Sequence, residues 1–180
     1  MIAQLYSRWK ILFAISAAFY AAGILAGILS GSVMDIPSFA PMESGMWDIF
    51  KNNVVVGLII ISSGLITGGV LSSIIILCNG YIIGYTMIGV TSNYGLRPIM
   101  EGLVPHFFPE SMALMLCAAM GFSFGKYLLL YMKGVEQRQG ELRTVARDCL
   151  VISALFILLL LLASFIEAHV SAVMLEAQSG

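Results

Sequence analysis

The sequence predicts an all-α, polytopic membrane protein with about five transmembrane helices and a short interfacial helix in the first outer loop. Three observations predict it. Apolar residues make up 59% of the 180 and charged residues only 11%, with a mean hydropathy of +0.96. An ordinary soluble domain carries roughly 25% charged residues. The apolar residues are gathered into uncharged runs, and a helix needs only ~20 such residues to cross the hydrocarbon. The cations that remain fall mostly on alternate connections between those runs. A soluble chain this apolar would lack the polar surface to stay dispersed, whereas lipid solvates such side chains directly. The length allows one transmembrane domain over 1–180 and no separate soluble module. The net charge of −1 points to no acidic or basic partner, and no basic run with interleaved aromatics suggests nucleic acid.

The spans fall at about 11–31, 48–67, 70–92, 109–132 and 149–167. The first follows Arg8 and Lys10, as a signal peptide would, but no convincing small-residue cleavage site follows it. It reads as a retained anchor. The next stretch carries Pro37, Pro41, Asp35, Glu43 and Asp48, a loop composition. Met42 to Phe50 mixes Met46, Trp47, Ile49 and Phe50 with polar residues, the pattern of a helix lying in the interface. Val54 to Ser92 carries no charge. As one helix it would run to ~58 Å, nearly twice the hydrocarbon thickness. Thr67-Gly68-Gly69 is the best place to break it, because paired glycines relax the backbone and end helices. Asn93 to Pro109, with three prolines and two glycines, reads as a loop, and Pro109 suits the first turn of the fourth span. Lys133 to Asp148 is polar and reads as a loop before the fifth.

Charge sidedness fixes the count. With five spans, Arg8, Lys10, Lys133, Arg138, Arg143 and Arg147 share one side, with Lys51 and Arg97 on the other. The positive-inside rule then puts the N-terminus in the cytoplasm and the C-terminus outside. Four spans would break the rule.

Small residues recur at four-residue spacing: Gly23 and Gly27, Gly64 and Gly68, Gly80 and Gly84, Gly121 and Gly125. Such pairs let helix backbones approach closely. They serve packing within the chain or a contact between two copies, and the sequence does not separate these. Cys78, Cys117 and Cys149 have no metal-site or disulfide spacing and read as buried small apolar residues.

The few polar groups at membrane depth or its boundary are the candidate site: Asn53, Asn79, His106 and Glu110. A polar side chain in lipid is costly unless partnered, so these face the protein interior. His106 and Glu110 are four apart and share a helix face if a helix begins near Pro105. The plain reading makes Glu110 a helix N-terminal charge with His106 as its structural partner. A proton or ligand site, or a metal, are the alternatives. There is no HExxH and no GxSxG, so no residue is assigned as catalytic and no cofactor is expected. Any metal would fall to His106 and Glu110. Three functions remain open: a membrane scaffold or subunit, a small transporter or channel component using Asn79, His106 and Glu110, and a membrane-embedded metal-dependent enzyme. The partners expected are the bilayer, other membrane proteins and a second copy of the chain.

The order Phe50, Asn53, Gly64, Gly68, Asn79-Gly80, Gly84, Pro105-His106, Glu110, Gly121 resembles the stage II sporulation protein M family, also known as a domain of unknown function. "NGYIIG" matches its "NG…G" segment, and "PHFFPE" matches in part its "PHG.FE" segment. Phe107 stands where the family has glycine, and Pro109 precedes the glutamate. The resemblance implies a bacterial or archaeal cytoplasmic-membrane protein of about five helices. Founding members act in engulfment during sporulation as scaffolds recruiting cell-wall-degrading partners. The family also occurs in organisms that make no spores, so no literal sporulation role follows.

Overall fold

The computed structural model describes residues 2–33, 45–135 and 139–171. In chain order they form α1 (Ile2–Gly31), α2 (Met46–Thr67), α3 (Val70–Tyr94), a π-helical turn (Ile99–Leu103), α4 (Val104–Met132), α5 (Gln139–Ile166) and a second π-helical turn (Glu167–Ser171), with no strand among the described residues. Five helices are long and apolar enough to cross a membrane. The protein is a multi-pass, all-α membrane protein.

The uncharged stretch breaks where the paired glycines place it. Gly68 ends α2 in the left-handed region, at φ 66°, and Gly69 opens α3 at φ 95°. A side chain there would be strained, since left-handed backbone disfavours any residue with a Cβ. The Gly69 amide reaches back to the Gly64 carbonyl at 2.9 Å, closing the helix end. Thr67 bridges the turn, its hydroxyl donating to Ser63 while accepting from the Leu71 amide.

Four helices begin earlier than the uncharged runs do, and for one reason. An uncharged run marks hydrocarbon thickness, and a helix continues past it into the polar boundary. So α1 already includes Arg8 and Lys10, and α5 starts at Gln139 rather than near 149. Met46–Phe50, expected in the interfacial helix, is continuous with α2, and residues 42–44 of that stretch lie outside the described residues. The expected loop from Asn93 to Pro109 is helical except at Gly95 and Leu96. Val104 bonds to the Ile99 carbonyl five residues back, and Pro105, next in line, has no N–H to place. Pro109 therefore lies inside α4 rather than in its first turn.

Helix α4 is the centre of the bundle: 56% of its most apolar 18-residue window is buried, against 22–28% in the other four. It packs on α2, α5, α1 and α3. Two parallel pairs make the closest approaches. A Cβ on Gly23 or Gly27 would overlap the carbonyl oxygens of Leu77 or Tyr81, and one on Gly80 or Gly84 those of Tyr20 or Ile24. The glycines of α1 and α3 thus face one another, backbone on backbone. In the second pair, Gly64 lies against Gly121, and Gly125 against Gly68. All eight glycines sit in contacts within the chain.

Buried hydroxyls add the polar contacts. Ser72 on α3 and Ser63 on α2 both donate to the Ile60 carbonyl. Ser16 on α1 lies 3.0 Å from the Met115 carbonyl of α4. Interhelical bonds of this kind average about 0.6 kcal/mol in membrane proteins. Ser72→Ala should therefore lower stability in a detergent unfolding titration by about that much, since alanine leaves only the lost bond.

Of the cysteines, Cys117 is buried, Cys149 intermediate and Cys78 exposed. The expectation of burial fails at Cys78 because lipid accepts a small apolar side chain as readily as a core does.

Candidate functional site

The bundle has two chemically different ends. At one, Arg8, Lys10, Lys126, Lys133, Arg143 and Arg147 accompany Glu141 and Asp148. At the other, His106, Glu110 and Glu167 accompany Asp48, Lys51, Arg97 and Glu101.

His106 and Glu110 lie one turn apart on α4, which puts them on one face. Helix α5 runs antiparallel to α4 and delivers Glu167 beside them, on the first residue of the second π-turn. One donor atom from each of His106, Glu110 and Glu167 lies within 4.8 Å of the other two. A ring N–H of His106 donates to the carbonyl of Gly102, in the first π-turn. Both elements that supply the cluster thus carry a π-turn at the cluster itself.

The floor beneath is aromatic and hydroxylic. Tyr20 of α1 is 5% exposed, shares a 2.9 Å hydrogen bond with Ser111, and stacks on Phe107 with centroids 6.3 Å apart. Phe107 therefore has a packing role, and α4 stays helical through Pro105 to Glu110. On α5, Ser164 is fully buried, its hydroxyl without a hydrogen-bond partner among the described residues, three residues before Glu167.

The other expected residues are placed differently. Asn53 is 9% exposed on α2, one turn before Gly57, which packs on Cys117 and Phe156. Continuing the register in which Gly64 meets Gly121 and Gly68 meets Gly125 puts Asn53 level with Glu110 on the neighbouring helix. Asn79 turns its amide back to the Ile75 carbonyl of its own helix at 3.0 Å and is half-buried. So His106 and Glu110 come together, Asn53 stands at the level of Glu110 on α2, and Asn79 bonds along α3.

Glu167 was not among the expected residues, having read as the start of a polar tail. The available signal was its position: it directly follows the last uncharged run, at the boundary where Glu110 also lies. The sequence likewise gave no sign of the cluster at the opposite end. There Arg8 grips Asp148 with two hydrogen bonds, of 2.6 and 2.7 Å, and the Trp9 indole donates to the same carboxylate at 3.0 Å. The Asp148 side chain is only 3% exposed.

Chemically, one imidazole and two carboxylates can bind a divalent cation or hold a proton between the two acids. Two cavities, of about 470 and 200 Å³, lie at the opposite end. The larger is lined by Ile15, the Gly68-Gly69 turn, Phe122, Lys126 and Lys133, and neither touches the His–Glu–Glu cluster.

Comparison with known proteins agrees with the residue pattern. The family model for stage II sporulation protein M matches residues 13–172, and the chain belongs to that family. It is 27% identical over 140 residues to an uncharacterized protein of Methanocaldococcus jannaschii, covering 76% of this chain and 77% of that one. No solved structure matches.

Proposed function

We propose that this member of the stage II sporulation protein M family is a membrane scaffold, a subunit that gathers partner membrane proteins around a rigid five-helix bundle. The observation that carries the reading is the glycine packing. Two helix pairs in backbone contact around a buried α4 make a stiff frame. The outward faces are broad and apolar, with Leu58 52%, Ile82 60% and Leu158 63% exposed. Such faces suit lipid and the helices of partners alike. The proposed location is a bacterial or archaeal cytoplasmic membrane. Six described cations at the end where α1 begins, against two at the other, orient that end to the cytoplasm and the end of α5 outside.

Photo-crosslinking residues at 58, 82 and 158, introduced one at a time in native membranes, test the reading. The expected result is a specific protein adduct from at least one face. Adducts with lipid alone from all three, in cells where the protein is fully active as a monomer, would overturn it.

The transport reading draws on the His106, Glu110 and Glu167 cluster. Its test is solute flux in reconstituted vesicles, lost in Glu110→Gln.

A further inference from the structure

We infer that His106, Glu110 and Glu167 bind one divalent transition-metal ion, which clamps the start of α4 to the end of α5. This inference stands apart from the scaffold reading.

The donor set comes first. A neutral imidazole nitrogen with two carboxylates suits zinc and its first-row neighbours, whereas an all-oxygen set would favour magnesium or calcium. Zinc bonds nitrogen and oxygen at about 2.0–2.2 Å, so tetrahedral donors lie about 3.4 Å apart. The donor atoms here lie within 4.8 Å of one another. Closing that gap takes about an ångström, within reach of side-chain torsions and without moving a helix.

Orientation comes second. Metal-binding histidines characteristically donate their other ring N–H to a carboxylate or backbone carbonyl, which fixes the tautomer and aims the ligating nitrogen. His106 makes that bond to Gly102. The bond occupies one ring nitrogen and leaves the other as a lone-pair donor.

Backbone form is an independent third sign. Well under 1% of residues in globular proteins are π-helical. Such turns concentrate at functional sites because they re-aim side chains within a helix. Here one holds Gly102 and the other begins at Glu167.

Charge is the fourth. Neither Glu110 nor Glu167 pairs with a lysine or arginine among the described residues. Two facing carboxylates at a membrane boundary repel unless something between them is positive, and a divalent ion neutralises both. Three protein ligands leave a fourth position for water or a partner's donor group.

The test uses the full chain in detergent, stripped with chelator and titrated with Zn2+. Elemental analysis should find about one zinc per chain, with a zinc-dependent rise in melting temperature. His106→Ala, Glu110→Gln and Glu167→Gln should each weaken binding at least about 10-fold and abolish that rise, the scale on which even outer-shell changes act. His169→Ala, two residues beyond Glu167, should bind as the unaltered chain does. No zinc uptake, or uptake unaffected in all three variants, would overturn the inference. Should the variants fail to fold, X-ray absorption of the zinc-loaded unaltered chain decides it. One imidazole with oxygen ligands is expected, and an all-oxygen or thiolate shell sinks the inference.

Discussion

Gly80→Leu should prevent α1 and α3 from packing and leave little folded protein in detergent. The reason lies in what opposes the glycine. A Cβ at Gly80 overlaps the Tyr20 carbonyl oxygen, and one at Gly84 that of Ile24. These are backbone atoms, which cannot rotate aside as a side chain can. Gly80→Ala is the measurable case. Overpacking a tight core typically costs 1–3 kcal/mol, and about the upper end is expected where backbone faces backbone. Gly80→Ala combined with Gly84→Ala should cost less than the sum, because helices parted by the first methyl already have room for the second. Gly140→Ala is the control. It lies in the first turn of α5 with no described atom within 4 Å of the added methyl, so stability should stay within about 0.5 kcal/mol of the unaltered chain. Reversible unfolding in mixed micelles measures all four.

The second large effect is expected at the opposite end, and it is asymmetric. Arg8→Met removes both charged hydrogen bonds from a carboxylate that is 3% exposed. It leaves Asp148 with the Trp9 indole and with Arg147 at 4.0 Å. Asp148→Asn leaves Arg8, whose side chain is 36% exposed and can turn to water. An unpaired buried charge is costly, and an unpaired exposed one is cheap. Arg8→Met should therefore lower the melting temperature more than Asp148→Asn, and adding Asp148→Asn to Arg8→Met should restore part of the loss. Equal effects of the two single changes, with no recovery in the pair, would refute the account.

Hydropathy conveyed the fold class, because bilayer thickness makes each crossing a long uncharged run, and the sidedness of the cations completed the number of spans. The break at Gly68-Gly69 was equally legible, since 39 uncharged residues cannot be one crossing and that glycine pair leaves about 20 residues for each, counting from 48. Helix ends were not legible. Arg8, Arg143 and Asp148 look like loop residues in a hydropathy reading, yet they lie on helices that continue beyond the hydrocarbon. The site was half legible. The four-residue spacing of His106 and Glu110 follows from helical geometry. Glu167 joins them through the antiparallel packing of α5 on α4, a long-range fact that no local spacing encodes. A lone asparagine in an apolar run, as Asn79 is, reads as a site from the sequence. A helix can satisfy it internally, through the carbonyl four residues back.

The parallel pairing also bears on how the chain is made. Helix α1 finds its tightest partner in α3, and α2 in α4, so each closest contact skips one crossing. During synthesis the first two crossings can enter the bilayer without either meeting its glycine-matched surface. Gly23 and Gly27 stay bare until α3 emerges and α2 has doubled back beside it. Gly64 waits likewise for Gly121. Assembly is thus deferred to the second half of translation, and a nascent chain halted after α2 presents two unmatched grooves to the insertion machinery.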